Sequence, residues 1–125
     1  MELRYPELNM REICYGQEFL VFDCNLETIP AHLKKNVPAS RYIVISDTNV
    51  DKIHGSKLKE AFQAQCMDFS IKILEPGEQT KCRRVKEEIE DWMLSLACNR
   101  DTCVVAFGGG VIGDLAGFVA ATFLR

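Results

Sequence analysis

No run in this 125-residue chain reaches the roughly 18 apolar residues that a membrane-spanning helix needs. Its most apolar stretch, residues 104–124, is interrupted by five glycines and by Asp114, so it reads as a strand, a loop and a helix. The amino end also lacks the charged and then apolar pattern of a secretory signal, because residues 1–12 are mixed and polar. A reducing, cytoplasmic setting is therefore expected, in which thiols stay free. No C-x-x-C pair occurs among the six cysteines, which weakens both a disulfide framework and a zinc site. Cys103, inside an apolar run, reads as a small buried hydrophobe. A basic excess is missing too. Fifteen Lys and Arg face eighteen Asp and Glu, a formal charge of −3, so nucleic acid is not an expected partner. Neither internal repeat nor low-complexity linker is present. What remains, 47% hydrophobic and 26% charged, is the composition of one ordinary globular domain with a core of its own.

The first forty residues are the least regular. Residues 11–23 suggest one or two strands with a turn at Tyr15-Gly16-Gln17. Residues 26–35 suggest a short helix with Pro30 in its first turn, closed by Pro38. From residue 41 the pattern sharpens. Tyr42-Ile43-Val44-Ile45 is an apolar, β-branched run bounded by Ser46-Asp47, as in a strand covered on both faces. A helix is expected over residues 56–66, with Leu58 and Phe62 on one face. Residues 69–74 follow as a strand stopped by Pro76-Gly77. Thr80 is a candidate cap for the next helix, along which Val85, Ile89, Trp92, Met93 and Leu96 form a single apolar stripe. Arg83, Lys86, Glu87 and Glu90 fall on its wet side. Residues 102–107 read as a third buried strand, with a last helix beginning after the glycines.

Strands alternating with helices argue for an α/β fold with a parallel, Rossmann-like sheet and right-handed crossovers. Ligands of such sheets bind beyond the carboxyl ends of the strands. Three chemically interesting segments fall there: Asp47 to Asn49, Gly77 to Lys81, and Gly108 to Asp114.

The glycine turn carries the strongest chemical signal. Gly108-Gly109-Gly110-Val111-Ile112-Gly113 fits G-x-G-x-x-G between an apolar strand and a helix. Glycines there let a diphosphate approach the backbone, and the amides of the helix start attract its charge. The competing explanation is a turn that only lets the helix pack tightly. The usual fingerprint also places a ribose-binding acid about 20 residues further on. Only twelve residues follow Gly113, so Asp47, at the end of an earlier strand, is the substitute candidate. It is equally a candidate helix or turn cap. Asp114 is favourable at a helix start without any ligand, and Glu78 and Lys81 fit a solvated loop. His32 and His54 have no partner at metal spacing and read as surface or packing residues.

Together these segments resemble 3-dehydroquinate synthase. Residues 108–125, from Gly108-Gly109-Gly110 through Asp114-Leu115-Ala116-Gly117 to Phe123-Leu124-Arg125, are very similar to that family's most recognisable stretch. Ser46-Asp47-Thr48-Asn49 and Pro76-Gly77-Glu78-Gln79-Thr80-Lys81 match its two earlier motifs in order. Residues 89–95 look like the version found in the fungal-type pentafunctional shikimate-pathway polypeptide. The likeness covers residues 41–125.

The resemblance implies NAD contacts at Asp47, Thr48 and Asn49, at Glu78 and Lys81, and at Gly109, Gly110, Val111 and Asp114. It implies a substrate contact at Arg125, whose guanidinium suits an anion. It implies conversion of 3-deoxy-D-arabino-heptulosonate 7-phosphate to 3-dehydroquinate and phosphate, with NAD used catalytically and a divalent metal, zinc or cobalt. The family's metal ligands, one Glu and two His, and its main catalytic lysines lie beyond residue 125. The chain is thus expected to be the NAD-binding portion, with residues 1–40 part of the same domain and the helical metal-binding domain absent. Alone it is expected to be inactive; whole, a homodimer. A metal-dependent polyol dehydrogenase shares the glycine turn, but usually continues it with Ser rather than Val111-Ile112-Gly113-Asp114. A non-catalytic nucleotide-binding fragment is the other alternative.

Overall fold

The structure, a computed structural model, describes residues 2–5, 10–15, 18–22 and 25–124. Three strands form at the amino end: β1 (Glu2–Tyr5), β2 (Met10–Tyr15) and β3 (Glu18–Phe22), an antiparallel sheet in that order. The expected strands are therefore there, whereas Gly16 and Gln17 of the expected turn lie outside the described residues. A 3-10 turn at Leu26–Thr28 leads into α1 (Ile29–Asn36), with Pro30 buried in its first turn, where the missing amide hydrogen costs no helical bond.

A second, parallel sheet follows, built from β4 (Arg41–Asp47), β5 (Phe69–Leu74) and β6 (Thr102–Phe107) in the order β5-β4-β6. β4 is central, and Tyr42 through Ser46 are all buried. The side-chain period of two then splits the core. Tyr42 and Val44 face Leu58, Phe62 and Met67, whereas Ile43 and Ile45 face Val85, Ile89, Met93, Ile112, Leu115 and Val119.

Those two sets come from helices on opposite faces of the sheet. The crossover from β4 to β5 is α2 (Thr48–Val50), a π-helical stretch (Asp51–Gly55) and α3 (Ser56–Ala64). The crossover from β5 to β6 is α4 (Arg83–Ser95), and α5 (Gly110–Thr122) follows β6 on the face of α4. Strand order reverses at β4, so the gap between the carboxyl ends of β4 and β6 is a topological switch point.

Three local expectations need correction. Thr80 does not cap α4. It lies buried in a 3-10 turn (Glu78–Thr80), its hydroxyl donates to the Glu75 carbonyl at 2.7 Å, and Cys82 is the residue before the helix. β6 is only half buried and Ala106 is exposed, because β4 is its one strand neighbour among the described residues. Cys103 is accordingly half-buried, not fully enclosed. Finally, α5 begins within the glycines, at Gly110, and not after them. Along α4 the apolar stripe is in place, with Val85, Ile89 and Met93 buried. Lys86 and Glu90, placed on the wet side, form an i,i+4 ion pair at 2.7 Å that is about three-quarters covered.

Candidate functional site

Each parallel strand delivers one of the expected polar segments to the same edge of the sheet. At the end of β4, Ser46 is 1% exposed and its hydroxyl donates to the Phe107 carbonyl at 2.6 Å. A buried hydroxyl without a partner is costly, so this bond fixes the end of β4 against the residue that opens the glycine turn. Asp47 follows in an extended conformation, and its Oδ1 accepts from the Val50 amide at 2.9 Å. The cap foreseen as one of its two readings is therefore made, by one carboxylate oxygen. Thr48 and Asn49 are exposed beside it.

At the end of β6 the glycines separate by role. A Cβ on Gly108 would lie 2.9 Å from Ile112 Cγ1 and 3.0 Å from its Cβ, so this glycine lets the turn close on α5. Gly109 and Gly110 have nothing within 4 Å of such an atom, and neither has a positive φ. Internal packing and backbone strain thus leave the lack of side chains at these two positions unexplained. The first helical bond of α5 runs from the Gly113 amide to the Gly109 carbonyl at 2.9 Å. The amides of Gly110, Val111 and Ile112 consequently have no partner within the helix. Gly109 itself offers no side-chain cap. The result is a bare helix start at the switch point, suited to an anion. Gly113 also has open space around it, so it does not serve the helix-to-sheet packing that the third glycine of the fingerprint usually serves.

β5 ends at Pro76-Gly77, where Gly77 has φ +107°, a conformation that side chains rarely adopt. The following turn sets Lys81 2.9 Å from Asp114 and 3.7 Å from Glu78. Hydrogen bonding and charge from Asp114, then from Glu78, raise the Lys81 pKa. Asp114 at the helix start is therefore held by a lysine from another crossover, which ties two of the three segments together. No hydrogen bond or ion pair joins Asp47, Thr48 or Asn49 to this trio among the described residues; their link to the glycine turn runs through Ser46 and Phe107. Val111 is partly buried, and Arg125 lies outside the described residues.

Ser46 escaped the sequence reading as a structural link, although it is the one polar side chain between the apolar run and Asp47. His54, read as a surface or packing residue, is exposed and sits edge-on to Phe107 with ring centroids 6.4 Å apart.

Residues 71–125 match the family model described as 3-dehydroquinate synthase N-terminal. The chain is 43% identical over 117 residues to the pentafunctional AROM polypeptide of Schizosaccharomyces japonicus, a match that covers 88% of this chain and 7% of that protein. Among solved structures it is similar to 2-deoxy-scyllo-inosose synthase complexed with carbaglucose-6-phosphate, NAD+ and Co2+. The TM-score is 0.71 at 23% identity, covering 93% of this chain and 32% of that one. It is also similar to 2-epi-5-epi-valiolone synthase from Streptomyces hygroscopicus subsp. jinggangensis 5008 with NAD+ and Zn2+ bound, at TM-score 0.66, 23% identity, and 78% and 28% coverage. These structural likenesses establish the class: an α/β domain with the fold of these NAD+-bound synthases. The sequence matches are more specific. Residues 71–125 are similar to the amino-terminal portion of 3-dehydroquinate synthase, and the chain spans about 7% of the length of the curated relative it matches.

Proposed function

We propose that the chain is the NAD-binding portion of an enzyme that converts 3-deoxy-D-arabino-heptulosonate 7-phosphate to 3-dehydroquinate and phosphate, a carbon–oxygen lyase of the shikimate pathway. The observation that carries the cofactor reading is the bare start of α5, with open space at Gly109 and Gly110 where a Cβ would otherwise stand. In this reading Gly109, Gly110 and Val111 receive the cofactor diphosphate on their amides. Asp47 keeps Oδ1 for its cap and offers Oδ2 to ribose hydroxyls, with Thr48 and Asn49 beside it. Glu78, Lys81 and Asp114 form the polar wall on the other side. NAD, when bound, supplies reversible hydride acceptance.

The divalent metal, zinc or cobalt, and its ligands belong in this reading to residues outside the chain. Arg125 contacts the sugar-acid phosphate, and residues 1–40 belong to the same domain as residues 41–125. The apolar but half-covered β6 supports a sheet that continues into such a larger unit. The whole enzyme is read as a cytoplasmic homodimer, and the chain alone as catalytically incomplete. The test is phosphate release from the sugar-acid phosphate by the protein extended with its downstream coding sequence, with NAD and Zn2+ supplied. Release that requires both supports the reading. No release from that folded, metal-loaded protein, or net hydride transfer from a polyol instead, would overturn it.

A further inference from the structure

Next to the Lys81–Asp114 pair, a cavity of about 400 Å3 opens between the first turn of α4 and the second turn of α5. Cys82, Leu115 and Phe118 give it an apolar floor, and Arg83 and Lys86 stand on its α4 side. Phe118 is 57% exposed, so α5 presents much of this ring to solvent. The charges around the cavity are unequally matched. Lys81 is held by Asp114 and Glu78. Lys86 is held by Glu90 at 2.7 Å and lies 4.9 Å from the centre of the Phe118 ring. Arg83 has no ion pair among the described residues.

We propose that this cavity binds a small ring-bearing carboxylate, its ring against Phe118 and Leu115 and its carboxylate on the guanidinium of Arg83. A guanidinium can donate two parallel hydrogen bonds to a carboxylate. An aromatic face favours a second ring by offset or edge contact. Arg83 carries no partner carboxylate of its own among the described residues, so a ligand monoanion can meet its guanidinium, whereas the second charge of a phosphate dianion would be opposed by Asp114 and Glu78, which share Lys81. This site shares a wall with the NAD contacts proposed above, yet it does not depend on them.

The test uses the 125-residue chain and two probes, benzoate and acetate, followed by amide and aromatic resonances in NMR titrations. Benzoate is expected to shift the amides of residues 81–86 and the Phe118 ring, and to bind about tenfold more tightly than acetate, the worth of one ring contact. Arg83→Gln is expected to weaken both probes by about tenfold, as loss of a charge-assisted pair should. Phe118→Ala is expected to abolish the preference for benzoate while leaving acetate unchanged. Both side chains are exposed, and unchanged thermal melting verifies that each variant folds. Shifts scattered over the surface, benzoate binding indifferent to Arg83→Gln, or tighter binding of inorganic phosphate than of benzoate would each overturn the proposal. NAD titrated in parallel separates the two sites: NAD shifts at the glycine turn that survive Arg83→Gln leave the cofactor reading standing whatever benzoate does.

Discussion

Consider replacing Gly108, and separately Gly110, with alanine. At Gly108 the added carbon would sit 2.9 to 3.3 Å from three atoms of Ile112, including its Cβ, which cannot swing away as a flexible side-chain tip would. Ile112 is itself 2% exposed and packed into the core beneath α5. Overpacking of this kind costs about 1–3 kcal/mol. At roughly 4 °C per kcal/mol for a domain of this size, Gly108→Ala should lower the melting temperature by about 4–12 °C. At Gly110 no atom lies within 4 Å, φ is not positive, and the residue is the first of α5. Alanine there gains helix propensity and loses unfolded-state entropy, together worth up to about 1 kcal/mol. Melting should therefore stay level or rise by a few degrees.

The two variants should separate just as cleanly in ligand binding. Gly110→Ala places a carbon where the proposed diphosphate approaches the backbone, and NAD affinity measured calorimetrically should fall about tenfold or more, at least 1.4 kcal/mol. Thermal melts followed by far-UV circular dichroism give the stability arm. If Gly108→Ala melts with the parent, the packing argument for that glycine is wrong. If Gly110→Ala binds NAD as the parent does, the open space at the helix start is not a cofactor cradle.

Thr80→Val should cost about 1–2 kcal/mol, read as a lower urea midpoint, because it strands the Glu75 carbonyl that the buried hydroxyl now serves. An unchanged midpoint would mean that water replaces that bond. Ile89→Ala removes a fully buried side chain from the α4 stripe and should cost about 2–5 kcal/mol in the same assay; a loss below that range would show that the helix interface collapses onto the gap. In a short iodoacetamide pulse at pH 8, Cys66 and Cys82, both exposed, should be alkylated before Cys98 and Cys103. Burial pushes the Cys103 thiol pKa up, so its reactive thiolate is scarcer at that pH and should increase only as pH rises further. Early labelling of Cys103 by mass spectrometry would contradict the half-buried placement of β6.

The fold was legible wherever a local pattern decides the outcome. In β4, an apolar β-branched run ended by Ser46-Asp47 specifies a central strand, and the stripe from Val85 to Met93 specifies a helix face. Thr80 was misjudged because a threonine hydroxyl can serve a carbonyl earlier in the chain as readily as an amide later in it, and only tertiary placement decides. β6 was misjudged for a different reason. Its sequence reports two apolar faces, but burial also depends on a neighbouring strand, which composition cannot supply. The π-helical stretch Asp51–Gly55 left no periodic trace. It ends on a buried glycine, Gly55, against which the Asp51 carboxylate packs.

The glycine motif shows how far spacing can carry a functional reading. As a pattern it treats Gly108, Gly110 and Gly113 as the significant positions and leaves Gly109 free. The structure distributes the work differently: Gly108 answers to Ile112, while Gly109, Gly110 and Gly113 answer to nothing in the chain. A packing motif and a ligand motif therefore overlap in one hexapeptide, and spacing alone cannot tell them apart because both need the same residue type. Asp47 poses the same ambiguity in carboxylate form, since one oxygen makes the cap and the other has no hydrogen bond among the described residues. The two explanations are not exclusive at either place. A cap holds Asp47 in one rotamer, and a closed turn holds the α5 amides in one orientation. Both constraints lower the ordering cost that a bound nucleotide would otherwise impose. The structural roles of Gly108 and Asp47 are thus part of the argument for binding at Gly109 and Gly110, not evidence against it.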